Sequence, residues 1–313
     1  MLHSFRIRLL ALFSVAVTLA ILGYMIYQGR DTLWAYDWQI NWWSILLAFV
    51  VMLATFAIVA VVWVAEMRAV GSRLPAAVHL SHYIASHLIR RLPGTVWYIA
   101  GRGYLYRQQG ESARLVAVVS SLELVLLTLG ASLLALILWG TEFRQLPGGY
   151  LWVLIAAVLI GALIMQPASS QWLLRRVGKV DAPPLRYSQL SCWLLAYIVA
   201  WFGSGMIFYL LAHAFAGLGT EHMLYAVGSW ALIGALSTLV LFLPSNFGFT
   251  EIGLSLLMSA VMPASVAVIV ALAVRVTLTV FDLLAVGLWF GSEAVWRKIY
   301  VRRDATQPPT LEG

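Results

Sequence analysis

Three ionisable residues lie inside runs that are otherwise strongly apolar. Glu123 falls within Leu115–Trp139, and Arg275 and Asp282 fall within Val266–Phe290. A charge at the centre of a bilayer costs about 2.5–3.5 kcal/mol on insertion scales, so such residues pair with one another and often mark a pathway. Arg275 and Asp282 are two helical turns apart and share a helix face. Two readings stand open for these charges: a polar path, or ion pairs that hold helices together. On the first, Glu123, Glu251 and Arg275 are expected to form one buried polar cluster.

The segments before these charges are broken in the same way. Leu92-Pro93-Gly94-Thr95 follows one apolar stretch and leads to Arg102, and Leu243-Pro244-Ser245-Asn246 follows another and leads to Glu251. Glu123 then comes 30 residues after Pro93, and Arg275 comes 31 after Pro244, with the signs exchanged between the two copies. Proline removes a backbone donor and breaks a helix, while glycine admits tight turns. Backbone freed at membrane depth must face protein or a wet cavity. A pair of interrupted segments at corresponding positions is the sequence sign of a transporter site built from repeats. A cytoplasmic loop at 76–114 and a simple kink at Pro244 are the plainer alternatives. The repeat is weak by identity, since little beyond Leu-Pro matches.

Other chemistry finds little support. His79, His82 and His87 have no carboxylate or cysteine beside them in sequence, so no metal is expected. Cys192 is alone and forms no intrachain disulfide. No Ser-His-Asp arrangement, Gly-rich nucleotide loop or Walker sequence is present, so neither a catalytic residue nor a cofactor is assigned.

The elements that must position these residues follow from hydropathy. Apolar residues are 62% of the 313 and charged residues 11%, too few to cover a water-soluble surface. The expected fold is all-α: a polytopic helical membrane protein with about eight transmembrane helices and two Pro/Gly-broken segments, related by a weak inverted repeat. One transmembrane domain over 1–303 and a disordered cytoplasmic tail over 304–313 are expected. The spans are Leu9–Tyr27 (uncleaved), Ser44–Val64, Leu115–Trp139, Tyr150–Gln166, Leu190–Phe215 and Met223–Leu243. Thr250–Ala271, bent at Pro263, and a last span to Phe290 complete the set.

Basic residues set the orientation. Seven arginines lie between Arg68 and Arg114, and Arg175, Arg176, Lys179 and Arg186 lie in the fourth connection, while the connection around Glu221 has none. Cytoplasmic loops hold the excess of Lys and Arg, so both termini are expected in the cytoplasm, which requires an even number of crossings. The net charge of +7 reports this topology and anionic headgroups; nucleic acid is not an expected partner. Trp34, Trp38, Trp42 and Trp43 suit an interfacial belt.

The residues also resemble a known family. Arg91-Leu92-Pro93-Gly94-Thr95-Val96-Trp97, then Gly101-Arg102, then Glu123 is similar to the first signature of the lysylphosphatidylglycerol synthase transmembrane, or flippase-like, family. Pro244-Ser245-Asn246-Phe247-Gly248-Phe249-Thr250-Glu251, followed by Arg275, is similar to its second, with Asn246 and Phe247 where the family often has smaller residues. The resemblance implies a helical membrane domain that moves lipids or lipid-linked intermediates between leaflets. Some members add a soluble domain that transfers an aminoacyl group to phosphatidylglycerol; none is expected here after Phe290, so the chain is not expected to be that enzyme.

Three functions remain open. The first is a translocator of an anionic, phosphate-bearing lipid or lipid-linked saccharide in a prokaryotic plasma membrane. The others are a membrane-embedded enzyme acting on lipid headgroups and a non-transporting scaffold for a partner glycosyltransferase. Expected partners are anionic or polyprenyl-phosphate-linked lipids, with a glycosyltransferase or a second copy of the chain as further ones. The candidate substrate-binding residues are Arg90, Arg91, Pro93, Gly94, Arg102, Glu123, Pro244, Asn246, Glu251 and Arg275. Guanidinium forks and free helix N–H groups both match phosphate oxygens.

Overall fold

The computed structural model describes residues 20–89, 96–143, 148–176, 183–239 and 248–304. Among them every regular element is helical. The first six are α1 (20–28), α2 (Arg30–Ala35), α3 (Trp42–Ala69), α4 (Ala76–Ile89), α5 (Val96–Gln108) and α6 (Ala113–Glu142). The second six are α7 (Gly148–Ile164), α8 (Pro167–Arg176), α9 (Tyr187–Ala216), α10 (Met223–Leu239), α11 (Phe249–Met258) and α12 (Ala264–Asp304).

Four helices are long and apolar enough to cross a membrane: α3, α6, α9 and Ala264–Ser292 of α12. Counting the bent pair α7–α8 as one span makes five. Their outer faces are apolar and exposed, as at Val61, Ile137, Leu195 and Leu288. Patches of that extent are suited to lipid rather than water. The chain is therefore a helical integral membrane protein. The stretch Thr250–Ala271, expected as one span bent at Pro263, is instead two helices. The chain turns over Ser259–Met262, and Pro263 caps the next helix by accepting from the Ala267 N–H at 2.9 Å. Proline fits there because the first N–H groups of a helix have no intrahelical partner.

The short helices form two hairpins. Starting from the end of α3, α4 runs back along it: His79 lies at the level of Trp63, both bonded to the Tyr106 hydroxyl, and the His87 ring meets Phe56 at 4.8 Å. Helix α5 returns to the same end, where the Ser72 hydroxyl donates to the Glu111 carboxylate. The second hairpin begins at the other end of α6. There Phe143 packs on Tyr225, in the first turn of α10, at 5.3 Å. The Tyr225 hydroxyl donates to the Leu257 carbonyl at 2.8 Å, so the last turn of α11 has come back to the start of α10. Helix α6 has 30 residues, about 45 Å, so the mouths of the two hairpins are a membrane thickness apart.

The packing order has a two-fold pattern. Helix α3 packs on α9; α4 packs on α12 as α10 packs on α6; and α5 lies against α4 and α6 as α11 lies against α10 and α12. Exchanging the first six helices for the last six turns this set of contacts into itself. Small residues permit the closest approaches. A Cβ on Gly205 of α9 would stand 2.8 Å from the Val227 Cα of α10, too near for any other residue. Two apolar cores result. One joins α6, α9, α10 and α12, and the other joins α3, α4, α5 and α6 around Trp63, Met67, Leu122 and Leu126.

Candidate functional site

Arg102 enters the second core from the middle of α5 with 2% of its side chain exposed. Its Nη1 donates to Glu123 Oε2 of α6 at 2.6 Å and to Ser120 Oγ at 3.4 Å, and its Nε donates to Ser86 Oγ of α4 at 3.1 Å. The guanidinium lies over Trp63 at 3.9 Å, Tyr83 at 4.7 Å and Tyr98 at 5.4 Å. Glu123 is wholly buried, and its Oε1 accepts from the Tyr83 hydroxyl at 3.1 Å. Low dielectric makes this pair strong but costs the hydration of both ions. The three rings and three oxygens around Arg102 recover part of that cost. Four helices (α3, α4, α5 and α6) are thereby locked at one point.

The second hairpin carries the mirror-signed pair in a different setting. Glu251 lies in the first turn of α11 and is 2% exposed. Its Oε2 accepts from the Gly248 N–H at 2.7 Å, and its Oε1 accepts from Arg275 Nη1 of α12. Gly248 has φ +97°, a left-handed conformation that suits glycine and that turns its N–H toward the carboxylate. Arg275, unlike Arg102, has 32% of its side chain exposed. A carboxylate at a helix N-terminus, held by one backbone N–H and one guanidinium, occupies the place where an anion binds.

Each ion pair closes within its own hairpin. Glu123 pairs with Arg102 and Glu251 with Arg275, in place of the single cluster of Glu123, Glu251 and Arg275 expected from the sequence. The reason is topological: each hairpin packs against the long helix that follows it, so the nearest opposite charge comes from the same half. Besides the packing of α3 on α9 and of α6 on α10, polar contacts from α12 join the halves. His87 Nε2, near the end of α4, lies 3.5 Å from Asp282 Oδ1, and the Trp289 Nε1–H donates to Ser81 Oγ at 3.2 Å.

Of the other candidate residues, Arg90, Arg91, Pro93, Gly94, Pro244 and Asn246 lie outside the described residues. Arg102, expected to draw phosphate, donates to Glu123, Ser120 and Ser86 inside the lock, whereas the Arg275 side chain is a third exposed. Sequence reasoning missed Trp63, Tyr83, Tyr98, Ser86 and Ser120, the shell of Arg102. Aromatic and serine residues in apolar helices carry no signal of their own until the fold gathers them. It also missed Glu66, 0% exposed on α3, whose Oε1 accepts from the Tyr197 hydroxyl of α9 at 3.1 Å. An acid within one turn of the end of the apolar run 44–64 was the available clue. Among the described residues, no three His, Cys, Asp or Glu side chains gather as metal ligands. No protein-family model matches the chain, and no curated protein matches it.

Proposed function

We propose that this protein is a flippase-like translocator that carries an anionic, phosphate-bearing lipid, or a lipid-linked saccharide, between leaflets. It would cross the membrane six times, through the α1, α3, α6, α7, α9 and α12 segments, with α4–α5 and α10–α11 entering as hairpins from opposite faces. An even count keeps both termini in the cytoplasm, as the basic residues require. The two halves are then an inverted repeat, the architecture of transporters whose site lies near the bilayer midplane. This reading assigns the chain to the lysylphosphatidylglycerol synthase transmembrane family in a prokaryotic plasma membrane, on the two signatures around Pro93 and Pro244.

One observation carries the reading. Arg275, partly exposed in the middle of a membrane span, grips a carboxylate that sits on a helix N-terminus. A lipid phosphate displacing Glu251 would meet the same two donors, a guanidinium and the backbone N–H of Gly248. Tails stay in lipid, and only the headgroup needs the polar path. The Arg102–Glu123 lock at the other hairpin would seal the opposite face meanwhile.

The test is a leaflet-resolved assay in proteoliposomes with labelled phosphatidylglycerol and, as comparison, labelled phosphatidylcholine. The protein should move the anionic lipid faster, and Arg275→Gln should slow it by about tenfold or more, the worth of one charge-assisted hydrogen bond. Equal rates for folded Arg275→Gln and the unaltered protein would overturn the mechanism.

A further inference from the structure

Glu66 is the buried acid that the translocation path does not use. It lies on α3, 0% exposed, three residues after Trp63, whose ring lies against Arg102 in the lock. Its Oε1 takes the Tyr197 hydroxyl at 3.1 Å, and its Oε2 has no hydrogen-bond partner among the described residues. Both Glu123 and Arg102 act on it electrostatically. Tyr197 comes from α9, Glu123 from α6 and Arg102 from α5, and Tyr83 of α4 in turn donates to Glu123. Nearby in the same core, His79 of α4 and Tyr106 of α5 bond to each other. Asp282 of α12 pairs with His87, toward the far end of α4.

The charge count decides what this cluster must hold. Two carboxyl groups, Glu66 and Glu123, face a single buried guanidinium. Burying an unpaired ion in a dry site costs several kcal/mol, so a site with one cation and two acids is neutral only with a proton bound. Glu123 has the 2.6 Å contact to Arg102 and the Tyr83 hydroxyl, both suited to an anion. Glu66 has one donor and one bare oxygen, suited to a carboxylic acid.

We propose that Glu66 is a proton-binding site that controls the Arg102–Glu123 lock. With the proton on Glu66, Arg102 serves Glu123 alone and α4, α5 and α6 stay joined. When the proton leaves to water at the near membrane face, Glu66 becomes a second anion. It then attracts Arg102 and repels Glu123, which loosens the hairpin. A proton gradient across the membrane would thus set which hairpin opens. The coupling step rests on the translocator reading; the proton site does not.

Two measurements separate them. Infrared spectra of the purified protein at neutral pH should show the carbonyl stretch of a protonated carboxylic acid. That band should be lost in Glu66→Gln and kept in Glu221→Gln, where the acid is exposed. An unchanged band in Glu66→Gln overturns the proton site, whether or not any lipid moves. In proteoliposomes, anionic lipid movement should quicken as pH rises. Glu66→Gln, which mimics the protonated acid, should be slow and flat with pH, and Glu66→Asp should retain a pH response. A pH profile in Glu66→Gln matching that of the unaltered protein overturns the control of the lock. Absence of lipid movement by the unaltered protein, with the infrared band lost in Glu66→Gln, overturns the translocator reading and the control step while upholding the proton site.

Discussion

Arg275 and Asp282 stand two turns apart on one face of α12 and hold opposite hairpins, Arg275 through Glu251 of α11 and Asp282 through His87 of α4. That spacing is about 10 Å along the helix. The inner ends of two hairpins that enter from opposite ends of the molecule therefore meet the same short stretch of α12. A displacement of α12 along its axis would change both contacts at once. In the proposed translocator this would be the mechanical link that alternating access requires between two otherwise separate gates.

The two ion pairs should behave as independent units. Glu123→Gln leaves Arg102 buried without its counter-ion and should destabilise the detergent-solubilised protein by about 3–5 kcal/mol. Combined with Arg102→Gln, the loss should be far from additive. Combined with Arg275→Gln, it should be additive within about 0.5 kcal/mol, because those two residues share no partner. Chemical unfolding of the three single and two double variants checks this. Strong coupling between Glu123 and Arg275 would contradict the separation.

Glu251 should compete with the transported anion. In Glu251→Gln the side chain can still accept the Gly248 N–H, but Arg275 loses its resident charge. Binding of a short-chain phosphatidylglycerol should tighten by about tenfold, about 1.4 kcal/mol, while its movement between leaflets slows because the headgroup is no longer displaced on release. Titration of the purified variant in detergent measures the first effect. Weaker binding in Glu251→Gln would show that the carboxylate helps to hold the ligand instead of standing in for it.

The six-crossing topology differs from an eight-crossing one at the α11–α12 turn. Ala260 is exposed there. A hairpin entering from outside returns this turn to the outer face, whereas a span running over Thr250–Ala271 buries it in the bilayer. A cysteine at Ala260, in a Cys192→Ser background, should react with a membrane-impermeant thiol reagent added to intact cells. Reaction only after permeabilisation would exclude the six-crossing arrangement.

Much of this protein was legible before any fold. Long apolar runs must be helices in lipid, because every backbone N–H and C=O there needs an internal partner. That reasoning located α3, α6 and α9, and it singled out the four charges Arg102, Glu123, Glu251 and Arg275, but it divided the membrane part of α12 near Ala271; the breaks expected near Pro93 and Pro244 lie outside the described residues. Only tertiary structure decided how those charges pair. Hydropathy reports the environment of a segment and not its neighbour, so Met223–Leu243 reads as a crossing, while the packing of α11 along α10, with Leu257 at Tyr225, shows only in three dimensions. The same holds for Arg102 and Arg275. In sequence they are equivalent arginines beside broken helices. In three dimensions one is enclosed by Trp63, Tyr83 and Tyr98, while the other stays partly exposed, because the rings come from α3, α4 and α5 and meet only once those helices pack.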